Sequence, residues 1–352
     1  MPSPEFWQLL LSAELPDSRQ RSVVQLSRRF DPAHPYDFFE SIGTLTDAER
    51  NRIRQTDLEP LRRALAAGVW VWTKERFPER LAQASSPPPA LFAWGGVDVL
   101  HRPTVAVVGT RAASPYGKAV AQKFAEALAE AGVTVVSGGA LGIDAAAHEG
   151  ALKAGGATVA VLPCGVDRSY PASHRGLYER MRKSGCLLSA LPCGAKPRPH
   201  SFLARNRITA AIADAIVVVE APEASGSLST ANAAADENRQ VFVVPGSITM
   251  PGFRGSHALI RTGATLVDHP DQVLDDLGLL KKSSPKPERG GPAASDQSPP
   301  ARILRALGPE PVTVEKLTVL ADLDPASLLA ELTILEVEGR VLRADGGYAI
   351  AP

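Results

Sequence analysis

The chain has 352 residues, of which 44% are apolar, and its formal net charge at neutral pH is zero. This length predicts two or three domains, and the zero net charge excludes a global field that attracts polyanions, so nucleic-acid binding would need a local patch. The three cysteines match no paired metal-binding spacing, which favours a reducing compartment. Because no signal peptide and no run of about 18 apolar residues is visible, we expect a soluble cytoplasmic protein.

Residues 1–78 predict a helical domain. Apolar side chains recur there at roughly helical spacing, and Ile42-Gly43-Thr44-Leu45 resembles the turn of a helix-hairpin-helix. A SAM-like or helix-hairpin-helix-like domain and a small helical domain that simply packs on its neighbour both fit this pattern. We favour the small helical domain that packs on its neighbour, because one short glycine turn is a weak signal of a helix-hairpin-helix.

Residues 79–280 predict an extended Rossmann-like core. Short β-branched runs alternate there with helical stretches, as in a doubly wound parallel sheet whose strands are buried on both faces. The predicted strands are 105–108, 133–136, 158–162, 215–219 and 241–244, and the predicted helices include 118–131, 145–154, 208–213 and 230–238. In such a sheet, ligands bind at the carboxyl ends of the strands.

The remaining residues predict a linker and a third domain. Residues 281–300 are rich in Lys, Ser, Pro and Gly, which is typical of a flexible linker. Residues 301–352 predict three short helices and a hairpin turning at Asp345-Gly346-Gly347, which suggests a winged helix. The helix in the recognition position, 325–338, carries three glutamates and no Lys or Arg. We therefore expect this domain to contact protein rather than the major groove of a duplex.

Two predicted strands run into glycine-bearing turns, Gly109-Thr110-Arg111 and Ser137-Gly138-Gly139, each followed by an alanine-rich helix. Backbone N–H groups at the start of a helix suit phosphate. A dinucleotide site would need further glycines and an acidic residue after the second strand, and the spacing from Gly109 to Gly117-Lys118 is wrong for a P-loop. We therefore expect neither NAD nor P-loop ATP hydrolysis, and no cofactor.

Asp144 and His148 lie four residues apart at a predicted helix start. They could form a catalytic or metal-binding pair, or Asp144 could cap the helix while His148 packs nearby. We favour the second interpretation, and no third metal ligand lies at a useful spacing. The sequence therefore predicts no catalytic centre and no metal site.

A basic segment follows the third predicted strand. Residues 180–213 contain no acidic residue, and Arg198, Arg205 and Arg207 lie there with Phe202 among them. This combination fits single-stranded nucleic acid, because cations follow the backbone while an aromatic ring stacks on a base. The alternative is a solvated basic loop in which Phe202 is buried.

A third turn, Ser225-Gly226-Ser227, precedes the next predicted helix and suits either phosphate binding or ordinary helix capping. Three such turns at one edge of a sheet, with basic residues between them, favour a phosphate-binding surface.

These motifs together resemble a known family. The matching segments are 107–111, 137–148, 170–171, 202–208, 225–228 and 244–247. Their order and spacing closely resemble the DNA-processing protein A (DprA/Smf) family of bacteria, over about residues 78–277. Two departures are Ala190, where the family usually has Glu, and Thr209, where a second isoleucine is common.

The resemblance implies a protein without enzymatic activity that binds single-stranded DNA during natural transformation, protects it and loads the RecA recombinase, displacing single-strand-binding protein. The predicted DNA contacts are Gly109, Arg111, Ser137, Gly138, Gly139, Arg198, Phe202, Arg205, Asn206, Arg207, Gly226 and Ser227. The resemblance also implies a homodimer that pairs through Leu259, Ile260 and Leu266.

The alternative function is that of a nucleotide-processing phosphoribohydrolase on a related Rossmann-like fold. Such enzymes use an arginine and a glutamate in a glycine-rich loop. In the comparable loop here, no carboxylate follows Thr230 until Asp236, so cleavage of a glycosidic bond lacks an obvious base.

Overall fold

The computed structural model of the chain describes residues 2–28, 34–280, 298–308, 311–337, 340–344 and 346–350. The chain divides into two compact units, Met1–Leu280 and Lys281–Pro352. Among the described residues, no helix is long and apolar enough to cross a lipid bilayer.

The first unit combines helices with one large sheet. Its helices are α1 (Pro4–Ser12), α2 (Asp17–Ser27), α3 (Pro35–Ser41), α4 (Asp47–Arg54), α5 (Glu59–Ala66), α6 (Glu79–Ala82), α7 (Pro115–Glu130), α8 (Ile143–Lys153), α9 (Arg175–Ser184), α10 (Pro199–Ile212), α11 (Gly226–Asp236), α12 (Arg254–Arg261) and α13 (Pro270–Asp276). Its strands are β1 (Val69–Thr73), β2 (Ala90–Gly95), β3 (Thr104–Val108), β4 (Thr134–Ser137), β5 (Thr158–Val161), β6 (Cys186–Ser189), β7 (Ala215–Val218), β8 (Gln240–Val243) and β9 (Thr265–Leu266).

The strands form a sheet in the order β1-β2-β6-β5-β4-β3-β7-β8-β9. The seven strands β6, β5, β4, β3, β7, β8 and β9 are parallel to one another. The strand β2 is antiparallel to both β6 and β1. Alternate residues of β3 face opposite layers: Val105 and Val107 pack with α7 and α8, and Ala106 and Val108 pack with α10 and α11. Because both faces are covered, the apolar runs are continuous rather than alternating. The predicted doubly wound parallel sheet is confirmed.

The order of the strands reverses at β3. Strands β4, β5 and β6 lie on one side of it, and β7, β8 and β9 lie on the other. A crevice therefore opens at the carboxyl ends of β3 and β7, which is where open α/β sheets bind their ligands.

The N-terminal helices pack on this sheet. Phe6 of α1 and Phe39 of α3 share a buried cluster with Phe92 of β2 and with Leu162, which directly follows β5. The strand β1, which lies inside the region 1–78 that we assigned to a helical domain, pairs with β2 at the edge of the sheet. The helices and the sheet thus belong to the same compact unit.

The second unit contains α14 (Pro299–Ala306), α15 (Val314–Ala321), α16 (Pro325–Val337), β10 (Val341–Ala344) and β11 (Gly347–Ile350). The two strands form an antiparallel hairpin, and Ile303, Leu317, Leu328 and Val341 lie in a shared core. The predicted three helices and hairpin are confirmed. Most of the predicted linker, residues 281–297, lies outside the described residues, as do Glu338 and Asp345.

Candidate nucleic-acid interface

A cavity of about 490 Å³ opens at the carboxyl ends of β3, β4 and β7. The turns after these three strands and the helix α10 form its walls. Eight of the twelve predicted DNA contacts line it: Gly109, Arg111, Gly138, Phe202, Arg205, Asn206, Gly226 and Ser227. The tertiary fold thus brings together segments that are more than a hundred residues apart in the sequence.

The turn after β3 is anchored to the end of β7. The Thr110 N–H donates to the carbonyl of Glu220 at 2.7 Å, and the Ser114 N–H and hydroxyl both donate to the Glu220 carboxylate, at 3.0 and 2.7 Å. A Cβ at Gly109 would lie 2.8 Å from the Glu220 carbonyl oxygen, so only glycine allows this approach. The backbone on both sides of exposed Arg111 is thereby fixed.

Arg111 lies over the ring of Phe202. The guanidinium carbon is 4.7 Å from the ring centroid, within cation–π range. Phe202 is half-buried, and Tyr170 meets its ring edge to face at 5.9 Å between centroids. The ring is therefore neither a core residue nor a free surface side chain, because it joins a cation and a second aromatic ring at the cavity.

The turn after β4 contains an internal anion. The Gly138 and Ala140 N–H groups donate to the Asp144 carboxylate at 3.1 and 3.2 Å. The Gly138 N–H, which we expected to contact DNA, therefore already has an anionic partner within the chain. Arg205 covers Gly138 so closely that a Cβ there would lie 1.0 Å from Nη1. The turn therefore contributes to the cavity indirectly, because it supports Arg205.

Arg205 is a buried and incompletely compensated cation. It is 8% exposed, and its Nη1 lies 3.7 Å from Asp144 Oδ2. Burial lowers the pKa of the Arg205 guanidinium, while the carboxylate of Asp144 opposes this shift. Within the described residues, the Arg205 Nε is buried without a hydrogen-bond partner. A desolvated cation of this kind is stabilised by an anionic ligand.

The third wall is the N-terminus of α11. The Ser225 hydroxyl accepts from the Ser227 N–H at 3.3 Å and caps the helix. Asn206 donates to the Gly226 carbonyl at 3.2 Å and to the Ser229 hydroxyl at 2.7 Å, which ties α10 to this turn. The positive end of the helix dipole therefore faces a cavity that also contains two arginines.

Two predicted contacts lie behind the cavity wall. Ser137 is fully buried, and its hydroxyl donates to the Val107 carbonyl at 2.7 Å inside the sheet. Gly139 has a φ of 68°, and its carbonyl accepts from the Tyr178 hydroxyl at 2.9 Å. Both residues hold the turn in place rather than line the cavity.

Two predicted arginines point elsewhere. Arg198 pairs at 2.5 Å with Glu14, an exposed contact with the N-terminal part of the chain. Arg207 is exposed and lines a separate hollow of about 70 Å³ with Asp236 and Glu237. The helix α10 begins at Pro199, ahead of the predicted start at 208, because proline suits the first helical turn. Arg205 and Arg207 are therefore two positions apart on one helix, which directs them to opposite sides.

Two residues have roles that the motifs did not assign. Asp144 supports the glycine turn and Arg205, and the capping role that we favoured is wrong, because Gly142 is the N-cap of α8 and no side chain caps this helix. His148 is fully buried and packs against Thr158, with Nδ1 2.7 Å from the hydroxyl. Within the described residues, no three metal-binding side chains cluster together.

The predicted dimer residues lie at the far edge of the sheet. Leu259 and Ile260 of α12 are half-buried, and Leu266 of the edge strand β9 is 48% exposed. Because β9 has a neighbour on one side only in the strand order, this edge is open to another partner.

Comparison with known proteins gives concordant matches. A family model described as DNA recombination-mediator protein A matches residues 68–278, and one described as the DprA winged helix domain matches residues 286–347. The chain is 43% identical over 277 residues to a DNA processing protein DprA of Mycobacterium tuberculosis, covering 75% of this chain and 71% of that one. It is 36% identical over 279 residues to protein Smf of Escherichia coli, covering 78% and 75%.

Two solved structures are similar to the chain. The X-ray structure of DNA processing protein A from Streptococcus pneumoniae matches with a TM-score of 0.67 and 32% identity, covering 78% of this chain and 99% of that one. A structure of the Helicobacter pylori protein, which concerns its single-stranded DNA binding, matches with a TM-score of 0.55 and 31% identity, covering 60% and 95%. These matches confirm the family that the motifs predicted: the chain belongs to the DNA recombination-mediator protein A (DprA/Smf) family.

Proposed function

We propose that the chain binds single-stranded DNA in the cavity and acts as a recombination mediator. The observation that carries this proposal is the stack of Arg111 on Phe202 at the mouth of a cavity that also contains Arg205 and the N-terminus of α11. Cations and helix N–H groups hold phosphates, and aromatic rings stack on bases of any identity. The single-stranded DNA binding of the Helicobacter pylori relative supports the same ligand.

We further propose the finer role that the family resemblance implies. The protein protects incoming single strands during natural transformation and helps to load RecA, displacing single-strand-binding protein. It acts as a homodimer through α12 and β9, which places two cavities along one strand and increases the overall affinity. It works by binding, without catalysis and without a cofactor.

The nucleotide hydrolase remains the competing function. Its chemistry needs a carboxylate base near the glycosidic bond. Asp144 is the carboxylate at the cavity among the described lining residues, and it is hydrogen-bonded to two backbone N–H groups and paired with Arg205. This arrangement favours a structural role for Asp144 over proton transfer.

A salt titration tests the proposal. The affinity for an oligodeoxythymidylate is measured from low to high salt for the wild type, Arg111→Ala and the control Arg63→Ala, an exposed arginine on α5. We expect steep salt dependence, a weaker complex for Arg111→Ala, and a slope of log affinity against log salt reduced by about 0.7 for one lost phosphate contact. The control should match the wild type.

The same samples separate the two functions. A hydrolase would release base from AMP-like nucleotides and bind oligonucleotides poorly, whereas a mediator would do the reverse. Equal affinities of the wild type and Arg111→Ala for the oligonucleotide would contradict the proposal, because Arg111 would then contribute nothing to binding.

A further inference from the structure

The connection between β6 and α10, residues 190–198, leads directly into the helix that carries Phe202. The C-terminal half of α10 is anchored in the core by buried side chains such as Ile212. In the first turn, two of the three residues before Phe202 are exposed, and the third, Ser201, donates its N–H to the Arg198 carbonyl at 2.9 Å. The place of the Phe202 ring at the cavity therefore depends on the connection that precedes the helix.

Gln8 of α1 holds this connection by two hydrogen bonds. Its Nε2 donates to the Cys193 carbonyl at 3.0 Å, and its Oε1 accepts from the Cys193 N–H at 2.9 Å. Gln8 is 1% exposed and Cys193 is 4% exposed, so both bonds are shielded from water, which strengthens them. The amide pairs with the backbone as a neighbouring strand would, although the two residues lie 185 positions apart.

Two further contacts hold the same connection. The Gly194 N–H donates to the Asp167 carboxylate at 2.8 Å, which ties the connection to the segment after β5. Glu14, in the turn between α1 and α2, pairs with Arg198 at 2.5 Å, and both side chains are exposed. An exposed ion pair contributes little. The buried amide of Gln8 is therefore the stronger of the two contacts that Glu14 and Gln8 make from the N-terminal helices.

We propose that Gln8 is a positioning residue for the binding of single-stranded DNA. It fixes the connection at Cys193, and thereby the first turn of α10 and the ring of Phe202 at the cavity. This inference rests on the proposed function, since the position of the ring matters only if DNA contacts it. None of the described residues of the N-terminal helices lines the cavity, so they act on it through α10. A ring that is already in place lowers the entropy cost of binding.

Gln8→Met tests this role, because methionine has a side chain of similar size and makes neither hydrogen bond. The affinity for an oligodeoxythymidylate is measured at one salt concentration, under conditions in which circular dichroism shows each variant to be folded. Gln8→Met should bind more weakly than the wild type. Phe202→Ala, which removes the ring itself, sets the upper limit of this loss at about 5- to 150-fold.

Arg50→Ala is the matched control. The Arg50 guanidinium donates to four backbone carbonyls between Phe39 and Leu45, all of them in the N-terminal helical region and outside the connection. This variant should lose stability in the same region and bind the oligonucleotide as the wild type does. If Gln8→Met fails to fold, Gln8→Asn is the milder lesion, because its shorter amide cannot reach both Cys193 groups from the same backbone position.

The double variant Gln8→Met/Phe202→Ala separates positioning from a general effect on the fold. If Gln8 acts through the ring, the double variant should bind no more weakly than Phe202→Ala, whereas independent effects add.

Three results would overturn the positioning role and leave the binding of single-stranded DNA intact. These are an unchanged affinity of the Gln8 variant, equal losses for it and Arg50→Ala, and additive losses in the double variant. If the wild type does not bind the oligonucleotide, the proposed function fails, and the role of Gln8 fails with it.

Discussion

The Arg205 guanidinium lies 3.7 Å from the Asp144 carboxylate, and both side chains are 8% exposed. The same carboxylate accepts from two backbone N–H groups of the turn after β4. One buried aspartate thus fixes a glycine turn and orients an arginine toward the cavity. Removing one member of a buried pair leaves the other uncompensated, which is costly.

Asp144→Asn should therefore destabilise the fold. The amide can still accept from the N–H groups, but Arg205 loses its counter-charge, and we expect the free energy of unfolding to fall by about 3–5 kcal/mol. Urea denaturation measures this change. Asp98→Asn, at an exposed aspartate, should leave the midpoint unchanged; equal midpoints for the two variants would contradict a structural role for the pair.

Gly138→Ala should disturb the same arginine without changing any charge. The added Cβ would lie 1.0 Å from Arg205 Nη1, so the guanidinium must move out of its buried position. We expect weaker binding of single-stranded DNA. Gly43→Ala, where the Cβ meets open space, is the matched control. Titration of both variants with a labelled oligonucleotide checks this, and identical affinities would show that the position of Arg205 is irrelevant to binding.

Ser256 connects the proposed dimer helix to the cavity. Its hydroxyl accepts from the Ala221 N–H at 3.1 Å, and its own N–H donates to the Ala221 carbonyl at 3.1 Å. Ala221 lies in the connection that leads from β7 to α11. Ser256→Ala leaves a buried N–H without its partner and should cost about 1–3 kcal/mol of stability. Thr262→Ala, at an exposed position just after α12, should reduce the stability less. Thermal or urea unfolding measures both variants. A larger loss of stability for Thr262→Ala than for Ser256→Ala would contradict this role of Ser256.

Stability should fall in acid partly because of His148. Burial, with smaller contributions from His174 and Arg205, lowers the pKa of His148 to about 3. Thr158 donates its hydroxyl proton to the Val135 carbonyl, so His148 Nδ1 donates to Thr158 and the buried Nε2 carries no proton.

In the unfolded chain, His148 takes up a second proton near pH 6.5, whereas in the folded chain it does so only near pH 3. The contribution of neutral His148 to the free energy of unfolding is therefore complete above about pH 6.5. It is lost as the pH falls toward 3, by about 1.4 kcal/mol per pH unit. His148→Gln should remove this part of the slope. Urea midpoints at pH 7.5 and 4.5 for both proteins measure it, and parallel losses would show that other groups cause the whole effect.

The proposed dimer makes a prediction about mass in solution. Leu266 is exposed on the edge strand, so Leu266→Glu should produce a folded monomer. Ile260 is half-buried and packs against the core, so Ile260→Glu should also give a monomer but at some cost in stability. Light scattering coupled to gel filtration gives the masses. If both variants keep the dimer mass, the interface lies elsewhere.

Local sequence signals predicted much of the core. Continuous β-branched runs predicted β3, β4, β5, β7 and β8, because strands buried on both faces need apolar side chains at every position. The strands β1, β2, β6 and β9 were not predicted. The two-residue β9 is too short for a pattern to emerge, and β1 lies at the edge, beyond a helical region.

The family motifs identified both arginines and the aromatic ring of the cavity, since Arg111, Phe202 and Arg205 do line it. The sequence could not show that Glu14 neutralises Arg198, because that ion pair joins residues 184 positions apart. Nor could it show that Tyr170 meets Phe202, because that contact depends on how the connection after β5 approaches the helix α10.

By itself, the sequence determined the type of sheet, the edge at which the cavity opens, and several of the residues that line it, because burial and turn chemistry act on neighbouring residues. Only the tertiary structure decided which charges remain for a ligand. Gly138 and Ala140 donate to Asp144, Arg205 points into the cavity, and Arg207 points away from it. Hydrogen bonds and ion pairs depend on distances in space, and those are fixed only when the helices pack on the sheet.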